Sequence, residues 1–352
     1  MKQENVNFMG KTVKIGVIGC GAISERLHVP DFHVCPQADV VAFCDVDRER
    51  AQALAGTFSP GAEIYTDYNE LLKDPRVEAV TVCLPNVLHG PVTKAAAEAG
   101  KHIFVEKPMA TSLAEAREMV EVAKRHNVLL MVNQTQRRYA AHIKAKEVLD
   151  SGLLGRVLYV IGMFGHAGPD DWSPGSDWFF HKDEASFGAM ADLGIHKADI
   201  MRYLTGSEIV EIGAFSELIE KPDADVEDNF ASCVKFDNGA IGMLGASWTA
   251  KGLGSNFLIF HCANGTLRVD MWPGQPCVAH LVNPSSTIIF DIPPPLNDYP
   301  DTWGVDVGGA FARAVLGMEE PFCTGEEGLK SLAVIMAAQE AARTKSTVKV
   351  QI

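Results

Sequence analysis

The sequence predicts an α/β protein: an N-terminal doubly wound parallel sheet, then an α+β domain built on an open, mostly antiparallel sheet. Three observations carry this. From Val13 to about Asn133, short apolar runs rich in β-branched residues alternate with amphipathic segments, the pattern of a parallel sheet covered by helices on both faces. From Ile209 to Phe290, strand-like runs follow one another with the turn signals "DNG" and "ANG" between them, the pattern of an antiparallel sheet. With 352 residues, 47% of them hydrophobic, the chain can bury two cores, and the boundary is expected at residue 134, giving domains 1–134 and 135–352.

In the first domain the expected strands are "VKIGVIG", "DVVAFCD", "AVTVCLP", "HIFVEKP" and "VLLMVNQ". Helices are expected at "GPVTKAAAEAG", stopped by Gly100, and at "SLAEAREMVEVAKRH", where Ser112 stands three residues before Glu115 as a capping-box start. In the second domain a helix "AAHIKAKEVLD" closes at Gly152. A strand "RVLYVIGMFG", a Pro/Gly/Trp-rich loop "HAGPDDWSPGSDWFF" and a helix "FGAMADLGIHKADIMRYLTG" follow. The antiparallel strands are "IVEIGAFSEL", "NFASCVKFD", "AIGMLGASW", "NFLIFHC" and "GTLRVD"; "DIPPPLNDYP" reads as a loop. The tail reads as helices "VGGAFARAVLG" and "EEGLKSLAVIMAAQEAART" and a last strand "TVKVQI".

Composition narrows the function. A net charge of −14 with no long basic run argues against nucleic acid or an anionic membrane as partner, and leaves a small molecule as the ligand to expect. The opening "MKQENVNFMGK" lacks the apolar stretch of a secretory signal, and no segment has eighteen uninterrupted apolar residues, so neither secretion nor membrane spanning is expected. The eight cysteines (Cys20, Cys35, Cys44, Cys83, Cys233, Cys262, Cys277, Cys323) form no C-x-x-C pair and have no histidine at metal-ligand spacing. They read as reduced thiols of a cytoplasmic protein.

"VKIGVIGCGAIS" places Gly19 and Gly21, with Ala22 and Ile23 in the same turn, directly after the first strand. One glycine permits the tight turn and the other lets backbone approach a pyrophosphate at a helix N-terminus; the third glycine position holds Ser24. The second strand ends at Asp45, where a carboxylate can accept both ribose hydroxyls of an adenosine and repel a 2′-phosphate. Val46 and Asp47 precede the first arginine, Arg48, so NAD is favoured over NADP. Ligands of open parallel sheets bind beyond the carboxyl ends of the strands, which aims three more stretches at one crevice. They are Cys83, Leu84, Pro85, Asn86 and on to His89; Glu106, Lys107 and Pro108; and Val132 to Gln134. Asn86 and His89 either hydrogen-bond a nicotinamide ribose or cap the following helix. Lys107 is either an exposed strand-end lysine or a group held at the crevice by Glu106 and Pro108.

Farther on, Asp192, His196 and Asp199 lie at helical spacings of four and three and are expected to share a face, as an acid/base pair, as metal ligands or as a surface ion pair. A metal would need further ligands, for which only loop residues His166 and His181 offer themselves, so no metal site is assigned. Trp172 and Trp178, beside Asp170, Asp171 and Asp177, suit either core packing or a stacking face for a polyol.

These residues together resemble the glucose–fructose oxidoreductase / inositol 2-dehydrogenase / rhizopine-catabolism (Gfo/Idh/MocA) family. The resemblance rests on "GVIGCGAIS", "FCDVDRERA", "CLPNVLHGPVTKAAAEAGKHIFVEKPMA", "FGAMADLGIHKADIMRYLTG" and "TGEEGLKSLAVIMAAQEAARTKSTVKV", and the central "AGKHIFVEKP" is its most specific part. It implies a Rossmann domain that binds NAD(P), a second domain whose open sheet makes homodimer or homotetramer contacts, and oxidation of a sugar or cyclitol carbinol. It also implies that Lys107 of the E-K-P motif and Asp192 and His196 of the D-x-x-x-H motif surround the reacting hydroxyl. Arg137 or Arg138 is implied to meet the substrate or the other domain, and Pro108 to follow a cis bond. Phe187 beside Gly188 departs from the family's usual glycine cluster and is expected to narrow the pocket. The chemistry of the residues agrees: a carbinol yields hydride only as its proton is taken up, which His196 or Lys107 can do. Two other functions fit this framework, a glycosidase using NAD for transient oxidation and elimination, and a sugar sensor without catalysis.

Overall fold

The computed structural model describes residues 10–270, 277–292 and 304–352. Its first sheet has six parallel strands: β1 (Val13–Ile18), β2 (Ala38–Cys44), β3 (Glu63–Tyr65), β4 (Ala79–Val82), β5 (His102–Val105) and β6 (Leu130–Val132). Their order is β3-β2-β1-β4-β5-β6, with β1 hydrogen-bonded to β2 on one side and β4 on the other. The chain therefore reverses its direction of progress across the sheet at β1/β4, and a crevice opens beyond the carboxyl ends there. β4, β5 and β6 are short and buried on both faces, and β5 stops where polar residues begin, at Val105 before Glu106 and Lys107. β3 is not anticipated from sequence, since Glu63–Tyr65 is a three-residue edge strand without an apolar run.

The helix expected at "GPVTKAAAEAG" spans Asn86–Glu98, so it begins at the strand end itself and holds Pro91 inside it. Gly100, at φ +72°, closes that helix, because the left-handed region costs glycine nothing. Ser112 caps Leu113–Arg125 by accepting from the main-chain N–H of Glu115.

The second sheet has nine strands: β7 (Val157–Gly165), β8 (Ile209–Glu217), β9 (Asn229–Phe236), β10 (Ile241–Ser247), β11 (Ser255–Cys262), β12 (Gly265–Asp270), β13 (Cys277–Val282), β14 (Ser285–Ile289) and β15 (Val348–Lys349). The order is β14-β13-β12-β11-β7-β10-β9-β8-β15, antiparallel except for the central parallel pair β7/β10. β13 and β14 were not anticipated; the proline-rich loop at 291–300 lies almost wholly outside the described residues. Side chains of β9 alternate between buried and exposed, so one face packs on helices and the other is open. Phe215, Ile241 and Met243 stand on it at 75%, 52% and 47% exposure.

After β14 the chain returns to the first domain. Val307 and Phe311 of the helix Val307–Val315 join the core of Ile15, Phe43 and Phe104, with Phe311 stacked on Phe104. Asp31 Oδ2 accepts from the main-chain N–H groups of Val307 (2.6 Å) and Gly308 (3.2 Å). The long helix Gly325–Thr344 then crosses both domains, with Leu332 in the first core and Ile335 and Ala338 in the second. That shared packing fixes the crevice of the parallel sheet against the second sheet.

Candidate active site

The dinucleotide turn is built as a cradle. Gly19 has φ +91°, and a Cβ there would stand 2.1 Å from the Cys83 carbonyl oxygen, whereas a Cβ on Gly21 would meet nothing within 4 Å. One glycine is required by the close passage of β4 and the other leaves open space beside the backbone. The buried Ser24 hydroxyl donates to the Gly19 carbonyl, so the residue in place of the third glycine ties the turn. It also opens a five-residue π-helical segment, Ser24–His28.

Asp45 is buried at the end of β2 and accepts from the main-chain N–H groups of Cys20 (2.8 Å) and Asp47 (2.9 Å). Its fixed carboxylate beside the glycine turn fits the adenosine end of a dinucleotide. Arg50, which sequence reasoning passed over, comes within 3.7 Å of the same carboxylate.

Asn86 and His89 lie within the helix and do not cap it; Pro85 is its N-cap residue. Asn86 Nδ2 donates to the Ala185 carbonyl at 2.8 Å and so ties the first domain to the second. Both ring nitrogens of His89 face backbone oxygens, Pro108 O at 2.7 Å and Leu84 O at 2.8 Å. The Lys107–Pro108 peptide is cis.

Between the domains lies a cavity of about 610 Å³, lined among others by Ile23, Glu106, Lys107, Trp172, Asp192 and His196. Lys107 Nζ donates to the main-chain oxygen of Asp192 (2.8 Å) and to its Oδ1 (2.9 Å). Trp248 Nε1 donates to Asp192 Oδ2 at 2.9 Å, and His166 Nε2 stands 3.8 Å from the same oxygen. Burial opposes the charge on Asp192, but Lys107, His166 and Trp248 outweigh it and hold the carboxyl below its ordinary range. His196 is buried, and burial, reinforced by the Lys107 ammonium, pushes its imidazole down to about 3, so the ring is neutral near pH 7. Its Nδ1 has no hydrogen-bond partner among the described residues.

Below the lysine sits a buried polar group. Glu106 Oε1 is 2.7 Å from His28 Nε2 and accepts from Asn133 Nδ2 at 2.7 Å; Glu106 Oε2 accepts from the main-chain N–H of Lys107. Burial disfavours a charge on either member of the pair. The hydrogen bond and charge of His28 nonetheless lower Glu106 to about 2, while the Cys83 sulfur and the Glu106 carboxylate raise His28 to about 10. The Thr81 hydroxyl meets His28 Nδ1 at 2.8 Å.

Several expectations are corrected. Asp199 does not share the cavity with Asp192 and His196: it follows His196 in the α-helix Ile195–Thr205, but its buried carboxylate is turned to a guanidinium and does not line the cavity. Asp199 instead receives both arms of Arg137, Nε to Oδ2 and Nη2 to Oδ1, each at 2.7 Å. Arg137 is buried, also donates to the Phe322 carbonyl and Glu327, and does not line the cavity. Trp172 lines the cavity, whereas Trp178 stacks on Phe179 with centroids 3.8 Å apart and does not line it. Phe187 is buried and does not narrow the cavity; the glycine beside it is required, since a Cβ on Gly188 would stand 1.8 Å from the Glu227 carbonyl oxygen.

Asn133, one of the strand-end residues aimed at the crevice, lines the cavity, while Trp248 and Gln136 complete the site without a signal in the sequence. Among the described residues no cluster of three or more His, Cys, Asp or Glu could hold a metal ion, and no helix is long and apolar enough to cross a membrane. All eight cysteines are free, seven of them buried.

Comparison with known proteins places the chain in a family. The family model for GFO/IDH/MocA oxidoreductases with an NAD-binding Rossmann fold matches residues 13–134, and the model for the GFO/IDH/MocA C-terminal domain matches residues 142–268. The chain is 30% identical over 342 residues to the uncharacterized oxidoreductase YrbE of Bacillus subtilis (strain 168), covering 94% of this chain and 95% of that one. It is 28% identical to the myo-inositol 2-dehydrogenase of Thermotoga maritima, covering 96% and 99% of the two chains. Among solved structures it is similar to the aldose-aldose oxidoreductase from Caulobacter crescentus complexed with glycerol, with a TM-score of 0.84 at 26% identity over 96% of this chain and 100% of that one.

Proposed function

Because this chain belongs to the GFO/IDH/MocA oxidoreductases, we propose that it oxidises a secondary hydroxyl of a sugar or cyclitol, or reduces the matching ketone, by hydride exchange with NAD. The observation that carries this reading is the meeting of Lys107, Asp192 and His196 at one cavity beyond the strand ends that follow the glycine turn. NAD, when bound, supplies the hydride acceptor. The chain's own residues would do the rest.

Gly19, Gly21, Ala22 and Ile23 would hold the pyrophosphate, Asp45 the adenosine ribose, and Cys83, Leu84 and Pro85 the side of the crevice beyond β4. Two N–H groups of Lys107 are taken by Asp192, which leaves the third for the carbinol oxygen as negative charge develops on it. The neutral His196 ring offers a lone pair for the hydroxyl proton, and Asp192, held by Lys107 and Trp248, fixes the lysine. Trp172 supplies an apolar wall for the CH face of a ring. NAD is the cofactor assigned, since a 2′-phosphate would meet the Asp45 carboxylate; a preference for NADP would instead put Arg50 on that phosphate.

The open face of the second sheet, with Phe215, Ile241 and Met243 exposed, supports assembly into a homodimer or homotetramer through that face. Free, mostly buried thiols fit a cytoplasmic protein.

The test is turnover. Purified protein with NAD and a panel of inositols, hexoses and aryl glycosides should generate NADH absorbance with at least one polyol. Release of an aglycone without any NADH from a free sugar would overturn the dehydrogenase reading in favour of a glycosidase. Binding without turnover of either kind would make the protein a sensor.

A further inference from the structure

Lys197 follows the candidate base directly and is wholly buried in the second domain. Its one hydrogen-bond partner among the described residues is Gln136 Oε1, 3.1 Å from Nζ, and Nζ lies 5.8 Å from the centroid of the Phe164 ring. Gln136 and Phe164 both line the active-site cavity, so Lys197 stands directly behind its wall. A lysine in that place costs desolvation that an apolar residue would not.

The lysine sets a direction. Lys197 Nζ donates to the carbonyl oxygen of Gln136, so the amide nitrogen of Gln136 points the other way. Gln136 Nε2 then donates to Asn256 Oδ1 at 3.5 Å, which turns Asn256 Nδ2 outward. Asn256 lines the cavity, and the one side-chain hydrogen bond it makes among the described residues is on Oδ1, which leaves Nδ2 free to donate into the cavity. Three side chains from separate parts of the chain thus form a one-way series of donors ending in an N–H at the cavity wall.

We propose that Asn256 determines specificity by donating this N–H to a substrate oxygen remote from the carbon that is oxidised, with Lys197 and Gln136 as positioning residues that fix the direction of its amide. The proposal rests on the dehydrogenase reading above. It names the class of group read at that end of the pocket: an oxygen that accepts.

The experiment uses the full-length protein and the polyol of highest kcat/KM in the panel, together with its singly deoxy and deoxyfluoro analogues. A fluorine accepts weakly and cannot donate, so it separates an acceptor role from a donor role. At one position remote from the reacting carbon, the deoxy compound should lose about tenfold in kcat/KM and the deoxyfluoro compound less. Asn256→Asp should raise KM for the parent polyol about tenfold with kcat within about twofold, and should abolish the extra loss at that one position. Lys197→Met should act in the same direction and Lys197→Arg should restore the wild-type pattern.

Equal effects of Asn256→Asp on every analogue, or an unchanged KM, would overturn the proposal while leaving the dehydrogenase reading intact. Failure of every polyol to reduce NAD in the wild-type protein would overturn both. If Lys197→Met does not fold, Asn256→Asp decides alone, since its carboxylate still accepts from Gln136.

Discussion

Lys107 Nζ meets the same residue twice, through the main-chain oxygen of Asp192 and through its Oδ1, across 85 positions of sequence. The ammonium is therefore held in one place by two bonds from a second domain, with one N–H left over. Replacing Lys107 by Met should lower kcat by about 10²-fold or more, because a donor to the developing alkoxide is lost. Fluorescence titration with NAD should show near-normal affinity; unimpaired turnover would remove Lys107 from the catalytic set.

His196 is held neutral well below neutrality, to about 3. A base of lowered pKa stays ready as pH falls, so protonation of His196 should produce no loss of kcat/KM between pH 8 and pH 5. His196→Ala should cost about 10²- to 10⁴-fold in kcat at pH 7. A pH–rate profile with an inflection near 6.5 that vanishes in the variant would contradict this assignment.

The His28–Glu106 pair should show in stability. Glu106 is lowered from 4.5 to about 2, so its contribution is complete above 4.5 and lost as pH falls toward 2. His28 is raised from 6.5 to about 10, so its contribution is complete below 6.5 and lost as pH rises toward 10. Both act fully between pH 4.5 and 6.5. Thermal melts of Glu106→Gln against wild type should differ most in that window and converge on either side. The cost there should be about 3–5 kcal/mol, as for breaking a buried pair from one side.

Arg137 is predicted to matter for folding and not for substrate. Arg137→Met leaves the buried Asp199 carboxylate with Ser331 and the more distant Arg202, at 3.9 Å, as its remaining polar neighbours. Denaturant unfolding should show a loss of about 3–5 kcal/mol. The fraction that folds should keep its KM; a selective rise in KM without loss of stability would return Arg137 to the substrate site.

Phe215, three-quarters exposed on the open sheet face, should lie in the contact between copies. Light scattering should give an oligomer for the wild type and a smaller species for Phe215→Asp at the same concentration. A wild-type monomer at micromolar concentration would refute assembly through this face.

The parts legible in sequence share one property: they are set by near neighbours. Burial on both faces makes the apolar runs of β1, β2, β4 and β5, a left-handed φ singles out Gly19 and Gly100, and the cap of Ser112 reaches only to Glu115. The family motifs belong to this class too, since "EKP" and D-x-x-x-H are local strings whose chemistry can be named without knowing where they meet. β3 escaped because three residues with no apolar run carry no period, and the π turn of Met190–Gly194 because one extra residue per turn leaves the composition unchanged.

Long-range packing decided the rest. Sequence made Arg137 a candidate substrate contact and Asp199 a partner of His196; the fold paired them with each other, because a buried guanidinium needs a buried carboxylate and the nearest one came from the helix facing it. Trp248, at the end of β10, became the partner of Asp192, and Asn256, on β11, reached the cavity wall beside Gln136. Local spacing sets which groups a segment carries and which way its backbone turns. Whether two such groups touch depends on how helices and sheets far apart in the chain bury their apolar faces together, and only the tertiary structure holds that.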